Sequence, residues 1–139
     1  MTARQDLRSL KNRLNKRVEK ISKESKLVQK VAKTVLNELV NNTPVDTSKA
    51  ISNYQVGLVI PIRTTREAFF KGSGGDTAGT SGAETIKRGN LVINQRKDGQ
   101  DIYITNNQPY VAELDGDGFH TPFIKPAVKR GREVAKNGR

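Results

Sequence analysis

The side chains able to do chemistry are few in this chain, and their spacing tests each possibility in turn. His120 is the single histidine, so a histidine metal site or a Ser/His triad would rest on it alone. No Ser and carboxylate stand near it in a recognisable pattern, and an ordinary loop histidine is the better reading. "ELDGDG" sets Glu113, Asp115, Asp117 and Gly118 like the first half of a calcium loop. The bidentate glutamate of such a loop belongs at its twelfth position, which here is Ile124. Asp101, Glu113, Asp115 and Asp117 supply the carboxylates that a nuclease would gather, but no spacing requires them to meet. "GSGGDTAG" is glycine-rich, yet GxxxxGK[ST] is absent and the stretch neither follows a strand closely nor opens a clear helix pattern. Zinc spacings, an aromatic RNP run and a compact helix-turn-helix pattern are also missing. No catalytic, cofactor-binding or metal residue is assigned, and the chain is read as a non-enzyme with no cofactor.

Contact chemistry is what remains. The acidic turn is read as facing a basic neighbour, which makes Glu113, Asp115 and Asp117, with the loop aromatics Phe119 and Phe123, the candidate subunit or partner contacts. Lys71, Lys87 and Arg88 flank the glycine-rich stretch and are the candidate DNA-phosphate-facing residues, making weak, salt-sensitive contacts that read no sequence.

The charge distribution sharpens this. The net charge is +11, with +7 over residues 1–42, zero over 43–62, +3 over 63–100, −4 over 101–124 and +5 over 125–139. Basic ends around an acidic middle favour a polyanion nearby or head-to-tail pairing of copies through opposite charges.

The elements that must position these residues follow from periodicity. From Thr2 to about Asn42 apolar residues recur at Leu7, Leu10, Leu14, Ile21, Val28, Val31 and Val35, with Val18 and Leu39 beside them and no Gly or Pro between. That predicts an amphipathic helix roughly 50 Å long, more than a small domain covers, so part of its stripe is expected to pack on another chain. A coiled coil is disfavoured by Arg17 and Glu24 at its core positions. Asn41, Asn42 and Pro44 end the helix. Asp46, Thr47 or Ser48 is expected to cap a short turn through Lys49, Ala50 and Ile51. Tyr54–Ile60 alternates as a half-buried strand.

"LVINQRKDGQDIYIT" predicts a β-hairpin turning at Asp98-Gly99, with Ile93 opposite Ile104 and Arg96 opposite Asp101. Residues 64–89, rich in Gly, Ser and Thr, read as a mobile loop, and deleting residues 72–82 is expected to spare the fold. Pro126 suits the first turn of a helix running to about Lys136. The expected fold class is α+β: a long N-terminal amphipathic helix, a small antiparallel sheet with a hairpin, and a C-terminal helix. Residues 1–139 read as a single domain, with the helix at 1–42 and the sheet, loop and last helix in 43–139. Its apolar share is only 34 % with no Trp, a modest core that neighbours would supplement. The absence of Cys excludes disulfides and leaves the redox compartment open. No apolar run approaches a membrane span, and the charged N-terminus is unlike a signal peptide, so synthesis in the cytoplasm is expected.

In order along the chain, Thr43-Pro44-Val45-Asp46-Thr47, then Asn106, Pro109-Tyr110, Leu114 and Gly116, then Phe123 and Pro126-Ala127 resemble the tail-completion (neck) proteins of tailed bacteriophages, the minor tail protein Z-like proteins among them. The resemblance covers most of the chain from about residue 25. Ser48 stands where the family usually has Gly, and Val111 and Asp115 replace the commoner Ala and Glu. The resemblance implies a small non-catalytic α+β subunit that assembles as a ring at the virion's head–tail interface. The ring would be a hexamer, with a dodecamer as the alternative, in contact with neck, connector and tail-tube proteins and with double-stranded DNA passing through its lumen. The expected function is therefore to complete or terminate the tail and join it to the head. A head-closure or adaptor ring of the same neck, and a sequence-independent nucleic-acid-binding module using the basic N-terminal helix and the C-terminus, are the alternatives.

Overall fold

The computed structural model describes residues 3–116 and 121–138. Helix α1, Ala3–Asn42, is the longest element at 40 residues, about 60 Å at 1.5 Å per residue. Its C-terminal half is the spine of the fold: Ala32, Leu36, Leu39 and Val40 are buried there. The chain leaves α1 at Thr43, whose hydroxyl donates back to the Leu39 carbonyl. One turn of helix, α2 (Lys49–Ser52), leads to strand β1 (Tyr54–Leu58). Helix α3 (Ala78–Asn94) precedes strand β2 (Ile102–Asn106), then the short α4 (Val111–Leu114) and α5 (Ile124–Asn137).

β1 and β2 form a two-stranded antiparallel sheet in which Val56 pairs with Ile104 and Leu58 with Ile102. The helices gather around the sheet and α1, and the core holds Leu36, Ile51, Tyr54, Val56, Ile93 and Phe123. This is an α+β arrangement ending in a helix, as the residue patterns predict.

α5 runs antiparallel to α1. A Cβ at Gly131 would overlap Val35 and touch Val31, and one at Gly138 would overlap Leu27, so the two backbones come close along this line. α1 continues N-terminal of Leu27 for a further ~35 Å at helical rise. Of the described side chains there, Ser9 to Arg13, Lys16, Glu24 and Lys26 are exposed and Ser25 is half-buried, and Leu10 of the apolar stripe is 46 % exposed.

The predicted hairpin is not formed. Leu91 and Ile93 lie in α3, Leu91 being 54 % exposed and Ile93 fully buried, and β2 pairs with β1 instead. The reason is the face presented by residues 78–94: Ser81, Gly82, Thr85, Gly89 and Ile93 recur at helical spacing and are buried. Their smallness lets α3 lie against α1 and β1, where Gly89 faces Leu36 and Val56. Asp98-Gly99 still turns the chain, but from helix to strand. Arg96 therefore does not face Asp101 across a ladder; its guanidinium donates to the Gln100 carbonyl at 2.7 Å and to the Ser25 hydroxyl at 3.2 Å.

The same helix corrects the loop expected at 64–89, since residues 78–89 are helical. A deletion of residues 72–82 would remove Ser81 and Gly82 from the buried interface, so the fold is not expected to survive it. The strand expected to Ile60 stops at Leu58. Val59 turns the chain with φ 71°, its N–H donating to the Asp101 carbonyl and the Ile60 N–H to the Leu58 carbonyl. Ile60 is left 71 % exposed.

Candidate functional site

The segment after α1 and the segment after β2, far apart in sequence, come together. Residues 44–51 with Tyr110 and Leu114 line a surface concavity of about 320 Å³. Pro44 ends α1 by denying its predecessor helical geometry, and the chain then crosses to α2. On the other side, the Asn106 side chain donates to the Ala50 carbonyl at 2.8 Å, and its oxygen accepts the Gln108 N–H at 3.2 Å. This pair of bonds ties the end of β2 to α2 and carries Tyr110 and Leu114 to the groove.

Behind the groove, Tyr54 and Thr43 share a buried hydroxyl–hydroxyl bond of 2.6 Å. Burial pushes the Tyr54 phenol up to about 12, against a smaller opposing effect of its bond to Thr43. The first residue of β1 is thereby locked to the last turn of α1.

The glycine-rich stretch is held by the same joint. Gly72 N–H donates to the Thr47 carbonyl at 3.2 Å and Gly75 N–H to the Asp46 carbonyl at 2.9 Å. Gly74 N–H donates to Asp46 Oδ1 at 2.7 Å, and Ser73 N–H to Asp76 Oδ1 at 2.8 Å. Gly74 and Gly75 adopt φ 60° and 82°, a conformation that glycine reaches without the Cβ penalty. A phosphate cradle needs free N–H groups aimed at one point. Here these N–H groups are committed to the chain itself, although the stretch does open a helix, contrary to the reading from sequence.

Upstream, the coil is clamped as well. Asn53 accepts the Arg66 N–H at 2.8 Å and donates to the Arg66 carbonyl at 2.9 Å, while Phe69 N–H donates to the Ser52 hydroxyl at 3.0 Å.

The expected caps of α2 are employed differently. Ser48 occupies the N-cap position with φ 71° and makes no side-chain cap bond. Its hydroxyl instead pairs with that of Thr77 at 2.7 Å. A left-handed φ is a conformation that glycine would reach without strain, and Ser48 is the position at which the resemblance departs from Gly.

The candidate contact residues scatter. Asp115 Oδ1 accepts the N–H groups of Phe123 and Ile124 at 2.6 and 3.1 Å, satisfying donors at the start of α5 that the helix cannot. Phe123 is 2 % exposed in the chain's own core, so its ring is withdrawn from any contact with a neighbour. Glu113 lies in α4, but its side chain is outside those described, and Asp117, Phe119 and His120 lie outside the described residues.

Of the candidate phosphate contacts, Lys71 and Lys87 are exposed. Arg88 is bound to Glu84 at 2.8 Å, and its guanidinium lies 4.5 Å from the Phe69 ring centroid, which Arg66 also covers at 3.3 Å. Among the described residues no group of three His, Cys, Asp or Glu is placed to hold a metal, and no helix is long and apolar enough to cross a membrane.

The groove can therefore seat an apolar side chain or a short protein segment between Pro44, Val45, Tyr110 and Leu114, with Asp46 and Lys49 also in its lining. Lys49 reaches Glu67 at 3.8 Å on an exposed surface, a pair of small energetic consequence. The basic C-terminus was expected from sequence to serve the nucleic-acid-binding alternative, but no residue of α5 was named for it; its cations Lys125, Lys129, Arg132 and Lys136 are all exposed, and their four-three-four spacing was the available signal. No family model matches the chain, and neither a curated protein nor a solved structure matches it.

Proposed function

We propose that the chain is a structural virion subunit that forms a ring at the neck of a tailed bacteriophage, completing or terminating the tail and joining it to the head. One observation supports this reading above the others. Thr43-Pro44-Val45-Asp46-Thr47 and the Pro109-Tyr110 to Leu114 segment carry the resemblance separately in sequence, and they assemble around a single groove. A shared surface built from those two segments suits a contact between protein chains better than a reaction site, since its lining is mostly apolar and its one carboxylate already accepts the Gly74 N–H. In this reading the subunit catalyses nothing and needs no cofactor. It acts by closing with its copies, as a hexamer or a dodecamer, around DNA.

Native mass spectrometry over a range of protein and salt concentrations tests the reading. A discrete closed oligomer that Tyr110→Asp and Leu114→Asp dissolve into folded monomers is the expected result. A chain that remains monomeric throughout removes the self-closing ring. The second reading, a sequence-independent nucleic-acid-binding module, is favoured by the cation line on α5.

A further inference from the structure

α5 turns one face inward and the opposite face to solvent. Ala127 and Gly131 are buried, with Gly131 set close against Val31 and Val35 of α1. On the far side, Lys125, Lys129, Arg132 and Lys136 advance by four, three and four residues, a stagger that keeps them on one line of a helix. All four are exposed. Among the described residues none of them has an ion-pair partner; the single acidic residue of α5, Glu133, is bound to Arg130 at 3.4 Å.

We propose that this line of four cations is a binding site for the phosphate backbone of duplex DNA. The proposal goes beyond the ring reading and holds whether or not the chain closes with its copies.

Three physical points carry it. The line extends over about 16 Å of helix, long enough to reach several phosphates of a duplex that carries one negative charge about every 1.7 Å of axis with both strands counted. Lys and Arg on long stems adapt to small mismatches of spacing, as contacts that do not read bases require. The third point distinguishes DNA from a lipid surface. A helix lying on a membrane sinks an apolar face into the headgroup region, but Ala127 and Gly131 of α5 are buried, and Val128, 40 % exposed, is the one large apolar side chain of this helix left open to a partner.

The site differs from Lys71, Lys87 and Arg88. Arg88 is engaged with Glu84 and Phe69, and Lys71 lies on a coil separate in sequence from α3.

The test is fluorescence anisotropy of a labelled mixed-sequence duplex with the full-length chain over a salt series. The comparison is with the quadruple variant Lys125→Gln/Lys129→Gln/Arg132→Gln/Lys136→Gln, in which glutamine keeps helix propensity. The wild type should lose roughly a hundred-fold in affinity between about 50 and 200 mM salt if four phosphates are engaged. The variant's salt slope should be shallower by about 0.9 per lost contact, up to about 3.6.

Replacing the three lysines with arginine should keep the slope, and Lys71→Gln/Lys87→Gln should leave it unchanged. Should the quadruple variant fail to fold by circular dichroism, Lys125→Gln/Lys136→Gln at the ends of the line should still flatten the slope by about 1.8. Three outcomes of the duplex assay overturn the proposal: no duplex binding by the wild type at low salt, a variant slope equal to wild type, or a loss that follows Lys71 and Lys87 instead. Binding to vesicles of phosphatidylserine and phosphatidylcholine in place of duplex would assign the line to lipid headgroups and overturn it equally.

Discussion

Residues 63–77 and the helix that follows them, α3, both carry three glycines, at Gly72, Gly74 and Gly75 and at Gly79, Gly82 and Gly89. The first stretch is irregular and is held by directed bonds. Its backbone N–H groups meet Asp46 and Thr47, and its entry is clamped by Asn53. The second is regular and is held by shape. The missing side chain at Gly89 admits Leu36 and Val56, and Ser81 and Thr85 sit buried on the same face. One composition thus serves a polar latch and a close-packed socket. Glycine content by itself distinguishes neither from a mobile loop; the identity of the facing residues does.

The socket should be the costlier of the two to break. In Gly89→Val the new side chain would overlap Leu36, which is fully buried, and press on Val56, where even a Cβ would stand at 3.1 Å. Overpacking of this kind typically costs about 1–3 kcal/mol. A urea titration should show a lower midpoint with an unchanged slope. Equal stability would mean that α3 has slack against α1 and that the distinction drawn between the two stretches is unsound.

The buried hydroxyl pair at the latch's root has its own signature in pH. The Tyr54 phenol, raised from 10.0 to about 12 mainly by burial, binds its proton more tightly in the folded chain than in the unfolded one. Its contribution is therefore complete below pH 10 and is lost as the pH climbs from there through about 12. The loss across that window is up to about 2–3 kcal/mol. Tyr54→Phe should flatten alkaline unfolding followed by far-ultraviolet circular dichroism between those limits. A midpoint falling equally in wild type and variant would place the alkaline sensitivity elsewhere.

Cutting the latch itself should matter less to global stability and more to local order. Asp46→Ala deprives the Gly74 N–H of its acceptor, a loss of about 1 kcal/mol for a partly exposed bond. Amide exchange at Gly74 should accelerate while the amides of α3 keep their protection. Asp46→Asn retains an acceptor oxygen and should behave as wild type. Accelerated exchange throughout α3 would show that latch and socket open together.

What could be read ahead of the structure follows from how each element declares itself. α1, the stop at Pro44, β1 and α5 were legible because large apolar side chains at period 3.6 or 2, or a proline, mark them locally. α3 was not, because its buried face is Ser81, Gly82, Thr85 and Gly89, residues that count as loop formers until Leu36 and Val56 are placed opposite them. The apolar Leu91, Val92 and Ile93 at its end then mimicked a strand leading into Asp98-Gly99. The groove was half legible. Its two segments were singled out, but their meeting depends on Asn106 reaching Ala50, a pairing across 56 positions that periodicity does not encode. Phe123, taken as a partner contact, was misassigned for a similar reason: a loop aromatic between prolines must pack somewhere, and whether on its own chain or a neighbour is open until the turn at Asp115 is seen to fold it inward.

The finest test of the socket uses alanine at each glycine of α3, because the space around them is graded. Nothing lies within 4 Å of a Cβ at Gly79; at Gly82 one would meet Val40 at 3.2 Å and Ile51 at 3.4 Å; at Gly89 it would overlap Leu36. Each substitution gains helix propensity of up to about 1 kcal/mol, and only the packing term differs. Gly79→Ala should therefore raise the denaturation midpoint, through a stabilisation of about 0.5 kcal/mol near the helix start. Gly82→Ala should come out close to neutral as the two terms cancel, and Gly89→Ala should lower the midpoint. The order of the three carries the inference rather than any single value. If all three stabilise alike, the close approach of α3 to α1 is not what places glycine in this helix, and its glycines would then have to be explained by what α3 meets outside the chain.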